Sequence, residues 1–213
     1  PSDLTAGLEY NRDRLKDNMW GYDRHTDQTV NIYSAFLQNE WKNDRWGILI
    51  GGRLDKHNMV DNVIFSPRAN LRFNPTRNIN LRLSYSSGFR APQAFDEDMH
   101  IENVGGTVAM IERAKDLKEE KSQSFSASAD MYHRFGAFQT NLLIEGFYTR
   151  LTDVFVLGEP YDRGDGILVK TRSNGPGAKV MGLTLEGKVA YLSILQIQAG
   201  LTLQRSRYDE PHK

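Results

Sequence analysis

The sequence has 213 residues, a formal net charge of zero and no cysteine. That length suits one sizeable domain, the balanced charge gives no reason to expect nucleic acid as a partner, and the missing cysteines exclude disulfides, Cys-ligated zinc and thiol chemistry. No run of about 18 apolar residues is present, so no transmembrane helix is expected, although a mean hydropathy of −0.56 also fits a β-barrel whose strands are polar on one face.

The chain opens on PSDLTAGLEYNRDRL, which already reads as mid-strand text, and closes on QRSRYDEPHK, just past a strand. It therefore reads as a piece of a longer chain. Helical periodicity is nearly absent, and apolar residues alternate with polar ones almost throughout. About nine strands are predicted, at 3–16, 29–42, 44–57, 64–74, 78–90, 120–135, 138–156, 168–192 and 194–208. In the third, Trp46, Ile48, Ile50 and Leu54 alternate with Gly47, Gly51, Arg53 and Asp55. In the fifth, Leu81, Leu83, Tyr85 and Phe89 alternate with Arg82, Ser84, Ser86 and Arg90. The sixth alternates Phe125, Ala127, Ala129 and Met131 with Ser124, Ser126, Ser128 and Asp130. The eighth is interrupted at SNGPGA, where Gly175, Pro176 and Gly177 predict a bulge or bend.

The connections sort by length. Short links fall at Lys42–Asp44, Pro75–Arg77, Gly136–Ala137 and Leu192–Ser193, and long ones at about 17–28, 58–63, 91–119 and 157–167. Tight turns thus gather at one end of the sheet and long loops at the other, as in outer-membrane barrels. Several strands keep alternating for about ten residues or more, the length a tilted strand needs to cross a bilayer. Trp20, Tyr22, Trp41, Trp46, Phe73, Phe89, Phe135, Phe155 and Tyr208 stand near predicted strand ends, where rings suit a membrane interface.

Two readings fit the alternation. One is a soluble sheet with its apolar face in a core and its polar face in water. The other sets the apolar face in lipid and the polar face in a lumen. Strand length and loop sorting favour the second, and an open edge cannot sit in lipid, so the strands must belong to a larger closed barrel.

At this point the motifs resemble a known family. SYSSGFRAPQAFDED (84–98), LKEEKSQSFSASADMY (117–132), NLLIEGFYTRLTDVFVL (141–157) and SNGPGAKVMGLTLEGKVAYL (173–192) are similar, in order, to segments of TonB-dependent outer-membrane receptors. SAFLQNEWK (34–42), GGRLD (51–55) and FSPRANLRFNP (65–75) resemble the strands before them. Glu119 stands where the family usually has proline. The style is that of receptors from Bacteroidetes-like bacteria.

The resemblance implies an all-β fold: an antiparallel up-and-down transmembrane barrel fragment, about nine strands of a 22-stranded plugged barrel, with residues 1–213 forming one partial barrel domain. The plug domain, its TonB-contacting box and the terminal strands are expected to lie outside the sequence. The implied role is TonB-coupled uptake, across the outer membrane of a Gram-negative bacterium, of a scarce bulky nutrient: a ferric siderophore, haem or cobalamin. The implied partners are the TonB complex, the nutrient chelate and outer-membrane lipid. A passive porin and a soluble secreted β-sandwich are the alternatives. Arg53, Arg68, Arg72, Arg82, Arg90, Glu145 and Glu186 are expected to face the plug. Self-association through open strand edges is expected of the isolated fragment.

Enzyme signatures are lacking: no GxSxG, HExxH or P-loop occurs. His25, His57, His100, His133 and His212 are scattered. The candidate ligand region is the long loop 91–119, where Phe95, Met99, Ile101 and Met110 offer an apolar cradle and His100 a polar contact. Residues 107–118 are expected to form a short helix. Clustered carboxylates at Asp96, Glu97 and Asp98, or at Asp162 and Asp165, are candidates for Ca²⁺ in extracellular loops, and no other cofactor is expected.

Overall fold

The computed structural model describes residues 1–94, 102–104 and 107–210. In chain order the strands are β1 (Ser2–Met19), β2 (Arg24–Lys42), β3 (Trp46–His57), β4 (Ile64–Thr76), β5 (Ile79–Arg90), β6 (Glu102–Val104), β7 (Thr107–Arg113), β8 (Glu120–Phe135), β9 (Phe138–Thr152), β10 (Phe155–Leu157), β11 (Tyr161–Asp162), β12 (Leu168–Asn174), β13 (Ala178–Tyr191) and β14 (Leu195–Tyr208). A 3-10 turn at Trp20–Tyr22 joins β1 to β2.

Nine strands form one antiparallel sheet in the order β1-β2-β3-β4-β5-β8-β9-β13-β14. Sequential hairpins build it, with β6, β7 and β10 to β12 excluded from the path. Pairing register fixes which residues share a face, because directly opposed residues in an antiparallel ladder project to the same side. Across six of these strands, β3 to β13, one row runs Ile50, Ala69, Tyr85, Phe125, Tyr148, Met181. A lower row runs Ile48, Leu71, Leu83, Ala127, Gly146, Leu183, Leu203. This face is bare: Leu8 is 89 % exposed and Leu203 59 %. The soluble reading required two packed layers; the nine strands lie in one.

The width of the bare face fits a bilayer. On β13 it runs from Met181 to Tyr191, about 33 Å of strand at ~3.3 Å per residue, or about 25 Å of height at a tilt near 40°. Aromatic rings close both ends. Trp46 stacks on Phe73 at 4.2 Å and Phe138 meets Tyr191 at 5.0 Å beside the tight turns. At the loop end Tyr10 stacks on Tyr33 and Tyr85 meets Phe125, both at 4.8 Å. The second ring lies inside the strands rather than at their ends, which corrects the expectation for Trp20, Tyr22, Phe155 and Tyr208. The strands overshoot the membrane.

That overshoot explains a second difference. The predicted loop at 17–28 is mostly strand: β1 and β2 stay paired from Ser2↔Trp41 to Met19↔Arg24. Above the Tyr10–Tyr33 pair both faces of β1 are wetted, so alternation disappears from its sequence while the ladder continues. Arg14 Nη2 and Asp27 Oδ2, 2.9 Å apart, pair across it.

Two predicted strands are split. The predicted strand 138–156 divides into β9 and β10 at Asp153, whose φ of 53° turns the chain, and the predicted strand 168–192 divides into β12 and β13 at Gly175–Gly177. A Cβ on Gly177 would stand 2.5 Å from Asp209 Oδ2 and 2.8 Å from the Leu151 carbonyl, so the close approach of strands there requires glycine. The expected helix at 107–118 is instead strand β7 over its first part. β7 pairs in parallel with β12, Met110 opposite Val169. Ala109, Met110 and Val169 are all buried, so both faces of this ladder are covered. A partner strand distant in sequence decided the conformation.

Together β10-β12-β7-β6, with β11 on β12, make a second small sheet at the loop end.

Candidate functional site

The small sheet covers the loop end of β1 to β3, and buried polar side chains tie it down. Gln28 of β2, 6 % exposed, accepts through Oε1 from the Ala94 N–H at 2.8 Å and from Arg113 Nη1 at 3.1 Å. Arg113 Nη1 also donates to the Pro92 carbonyl at 3.0 Å. His57, ending β3, is 1 % exposed. Its Nδ1 accepts from the Met59 N–H at 3.0 Å, which places the proton on Nε2, 3.2 Å from Gln93 Oε1. Asn174 Oδ1 accepts from the Lys118 N–H at 2.7 Å, and its Nδ2 donates to the Lys118 and Asp153 carbonyls. The Gln28 and His57 contacts satisfy buried polar groups, and those of Asn174 join two loops at the surface.

Beneath this cap is a cavity of about 850 Å³. Arg24, Arg113, Lys115 and Arg163 line it with Asp23 and Glu112, so cations outnumber carboxylates. Arg24 Nη2 lies 3.0 Å from Asp17 Oδ2. Arg163 Nη2 reaches the Tyr22 carbonyl at 3.5 Å, linking the β11–β12 turn to the β1–β2 turn. Met110 lines the cavity from β7, and Met59 and Ile111 add further apolar surface. A cavity of this size, with a few converging polar groups, suits a bulky small molecule.

Of the predicted ligand residues, Met110 reaches the cavity; Phe95, Met99, His100 and Ile101, like the carboxylates at 96–98, lie outside the described residues. Asp162 and Asp165 stand in the turn after β11. Asp162 Oδ1 accepts from the Gly164 N–H at 2.8 Å; Asp165 Oδ2 accepts from Arg163 Nε at 3.0 Å and Oδ1 from the Ile167 N–H at 3.2 Å. Among the described residues no three or more His, Asp or Glu side chains gather to hold a metal. The hydrogen bond from Arg163, then that from the Ile167 amide, holds the Asp165 carboxyl below the ordinary carboxylate value. A depressed value in the folded state stabilises the turn above about pH 4 and loses that contribution as pH falls through it. The protection of amides 163–167 relative to their intrinsic exchange rates should therefore fall on acidification below about pH 4, and Asp165→Asn should remove that pH dependence.

The face opposite the apolar belt is polar. Arg53, Arg68, Arg72, Arg82, Arg90, Glu145 and Glu186 all lie on it by register. Arg53 anchors a cluster: Nε donates to Asp55 Oδ1 at 2.8 Å, Nη1 to Glu9 Oε2 at 3.0 Å and Nη2 to Ser34 Oγ at 2.8 Å. Ser84 hydrogen-bonds Ser126, and Ser124 Oγ lies 2.9 Å from Thr149 Oγ1, making a hydroxyl-lined sector on β5, β8 and β9.

A one-layer antiparallel wall, an apolar belt between two aromatic rings, a polar inner face and a loop-end cap describe a membrane barrel segment. The family profile described as "TonB dependent receptor-like, beta-barrel" matches residues 1–212. The chain belongs to that family. Members of that family are transport receptors, not enzymes, and the family resides in the outer membrane of Gram-negative bacteria. The siderophore receptor PirA from Pseudomonas aeruginosa superposes with a TM-score of 0.82 at 18 % identity, over 98 % of this chain and 40 % of that one. The ferric enterobactin receptor PfeA, from the same species, gives 0.73 at 19 % identity, over 96 % of this chain and 33 % of that one. The FrpB iron transporter from Neisseria meningitidis gives 0.69 at 16 % identity, over 97 % and 33 %. This chain therefore spans about a third to two fifths of these receptors' lengths. No curated protein matches its sequence.

In the TonB-dependent receptor barrel, sequence reasoning missed Gln28, Asn58 and Arg113. Asn58 pins β2 to the β3–β4 loop through the Asn31 N–H at 3.0 Å and the Thr29 carbonyl at 2.8 Å. Nothing local marks them. Asn174 had a signal, because it stands in the SNGPGA stretch.

Proposed function

We propose that this chain forms part of the wall and cap of a receptor for TonB-coupled active uptake of a metal chelate or tetrapyrrole. The cavity under the cap carries the reading. Its volume of about 850 Å³ suits a chelate, and Arg24, Arg113, Lys115 and Arg163, the first and last of them also ion-paired with Asp17 and Asp165, offer N–H donors that suit the oxygens of an anionic ligand, a ferric siderophore or haem, better than cobalamin. The superposed receptors are named for a siderophore, for ferric enterobactin and for iron, which supports the same choice. The seven charged inner-face residues would meet the plug through hydrated, hydrogen-bonded contacts, which a pull from TonB can rearrange more readily than a dry core.

The test is titration calorimetry of the complete detergent-solubilised receptor with a ferric siderophore, haem and cobalamin, each with and without Ca²⁺. An anionic chelate should bind with Kd of about 1 μM or tighter, and Arg163→Glu should weaken it roughly tenfold. A preference for cobalamin, or binding of none of the three, would overturn the reading. Affinity that rises with Ca²⁺ would add a calcium site to it.

A further inference from the structure

The sequence holds a single Asn-Gly pair, Asn174–Gly175, and the fold sets it at a clamp. The Asn174 side chain answers three backbone groups at once. It accepts from the Lys118 N–H at 2.7 Å and donates to the Lys118 and Asp153 carbonyls at 3.0 and 2.8 Å. Lys118 lies between β7 and β8, Asp153 between β9 and β10, and Asn174 itself ends β12 before β13. One carboxamide therefore fixes three of the points at which the chain crosses between the small sheet and the wall. One of them, Asp153, is held at a φ of 53°, a conformation that a non-glycine residue keeps only under external restraint.

Packing supplies the glycine. A Cβ on Gly175 would stand 2.7 Å from Val156 Cγ1 and 2.9 Å from Cγ2, so the approach of β10 admits no side chain there. The same bareness leaves the Gly175 nitrogen open to the neighbouring carboxamide. In the closed cap both groups are occupied: the amide by its three hydrogen bonds, and the Gly175 N–H by the Val154 carbonyl at 2.7 Å.

We propose that Asn174 is a deamidation site through which the cap is released from the wall in one direction. When the clamp opens, the Gly175 nitrogen attacks Asn174 Cγ. The bond from Cγ to the side-chain nitrogen breaks, and that nitrogen leaves as ammonia with the proton from Gly175. The resulting succinimide adds one water and opens to aspartate or isoaspartate. Neither product rebuilds the clamp. An ionised carboxylate donates nothing, so the Lys118 and Asp153 carbonyls lose their donor and face a negative charge. Isoaspartate also lengthens the backbone where Asn174 pairs with Phe155.

Peptide mass mapping of the complete detergent-solubilised receptor, aged at mildly alkaline pH, tests the proposal. Conversion at Asn174 should outpace that at Asn141, which Leu142 follows, at least about tenfold, because a side chain hinders the attack there. It should run at least about tenfold slower in the folded receptor than in the same protein unfolded in guanidinium, since opening must come first. Gly175→Ala combined with Val156→Ala, which makes room for the new methyl, should slow conversion at least about fivefold relative to Val156→Ala alone. Asn174→Asp, made directly, should lower the hydrogen-exchange protection of the Phe155 and Gly175 amides at least about fivefold, as ageing does. Conversion no faster than at Asn141 would overturn the proposal, as would equal rates in the folded and unfolded protein. Unchanged protection in Asn174→Asp would also overturn it, by showing that the cap stays in place without the amide.

Discussion

Arginine in place of Ala129 should destabilise the barrel by about 2–4 kcal/mol, while arginine in place of its chain neighbour Ser128 should cost less than about 1 kcal/mol. The two positions are adjacent and differ only in face. Ala129 lies opposite Leu81 and Ile144, midway down the apolar belt. A guanidinium there must enter hydrocarbon or drag water and headgroups toward it, and mid-belt is the depth at which neither is cheap. Ser128 lies opposite Arg82 and Glu145 on the inner face. A new arginine there meets a carboxylate and water, and its repulsion from Arg82 is screened. Guanidinium titration of the complete receptor refolded in lipid vesicles would measure both. Equal costs at 128 and 129 would mean that the face assignment of β8 is wrong, and with it that of the whole sheet.

The second large effect is expected at Arg53. Its guanidinium answers Asp55, Glu9 and Ser34 at once, and Asp55 is 3 % exposed. Arg53→Ala leaves that carboxylate enclosed with only the Ser34 hydroxyl as donor. Removing one partner of a fully buried ion pair costs about 3–5 kcal/mol. The other two groups here are partly wetted, so about 2–3 kcal/mol is expected. Asp55→Asn should recover much of the loss in the Arg53→Ala background, because an amide needs no counter-charge and still accepts from Ser34. A double-mutant cycle reads the difference as a coupling of at least about 1 kcal/mol; additivity within about 0.5 kcal/mol would show that water, not Asp55, satisfies Arg53.

The wall could be read from the sequence because the membrane imposes one rule on every residue in it. Trp46, Ile48, Ile50 and Leu54 alternate with polar residues since each outward position must be apolar whatever its neighbours are. Where that rule stops, so does legibility. Arg12 to Lys16 look like loop, because both faces of β1 are wet there, yet they continue the ladder to Met19. TVAMIER suggested a helix because its partner, LVKTR of β12, lies 55 or more residues away and parallel to it. The cavity was the hardest part to foresee. Its walls come from residues near 24, 58, 93, 112 and 163, brought together by single side chains such as Gln28 and His57 whose partners have no local pattern.

The one-layer wall has a consequence for descent. In a soluble core each apolar side chain fits the shape of its neighbours, and a substitution in one is felt by the others. Here the outward side chains face a fluid that reshapes itself around any of them. Leucine, isoleucine, alanine or phenylalanine will serve at most belt positions, provided that no charge enters. Such a surface can exchange residues freely over time while the ladder beneath keeps its course. The TM-score of 0.82 to PirA at 18 % identity shows one shape carried by two largely different sequences, which a wall held by its hydrogen bonds and faced by a fluid permits.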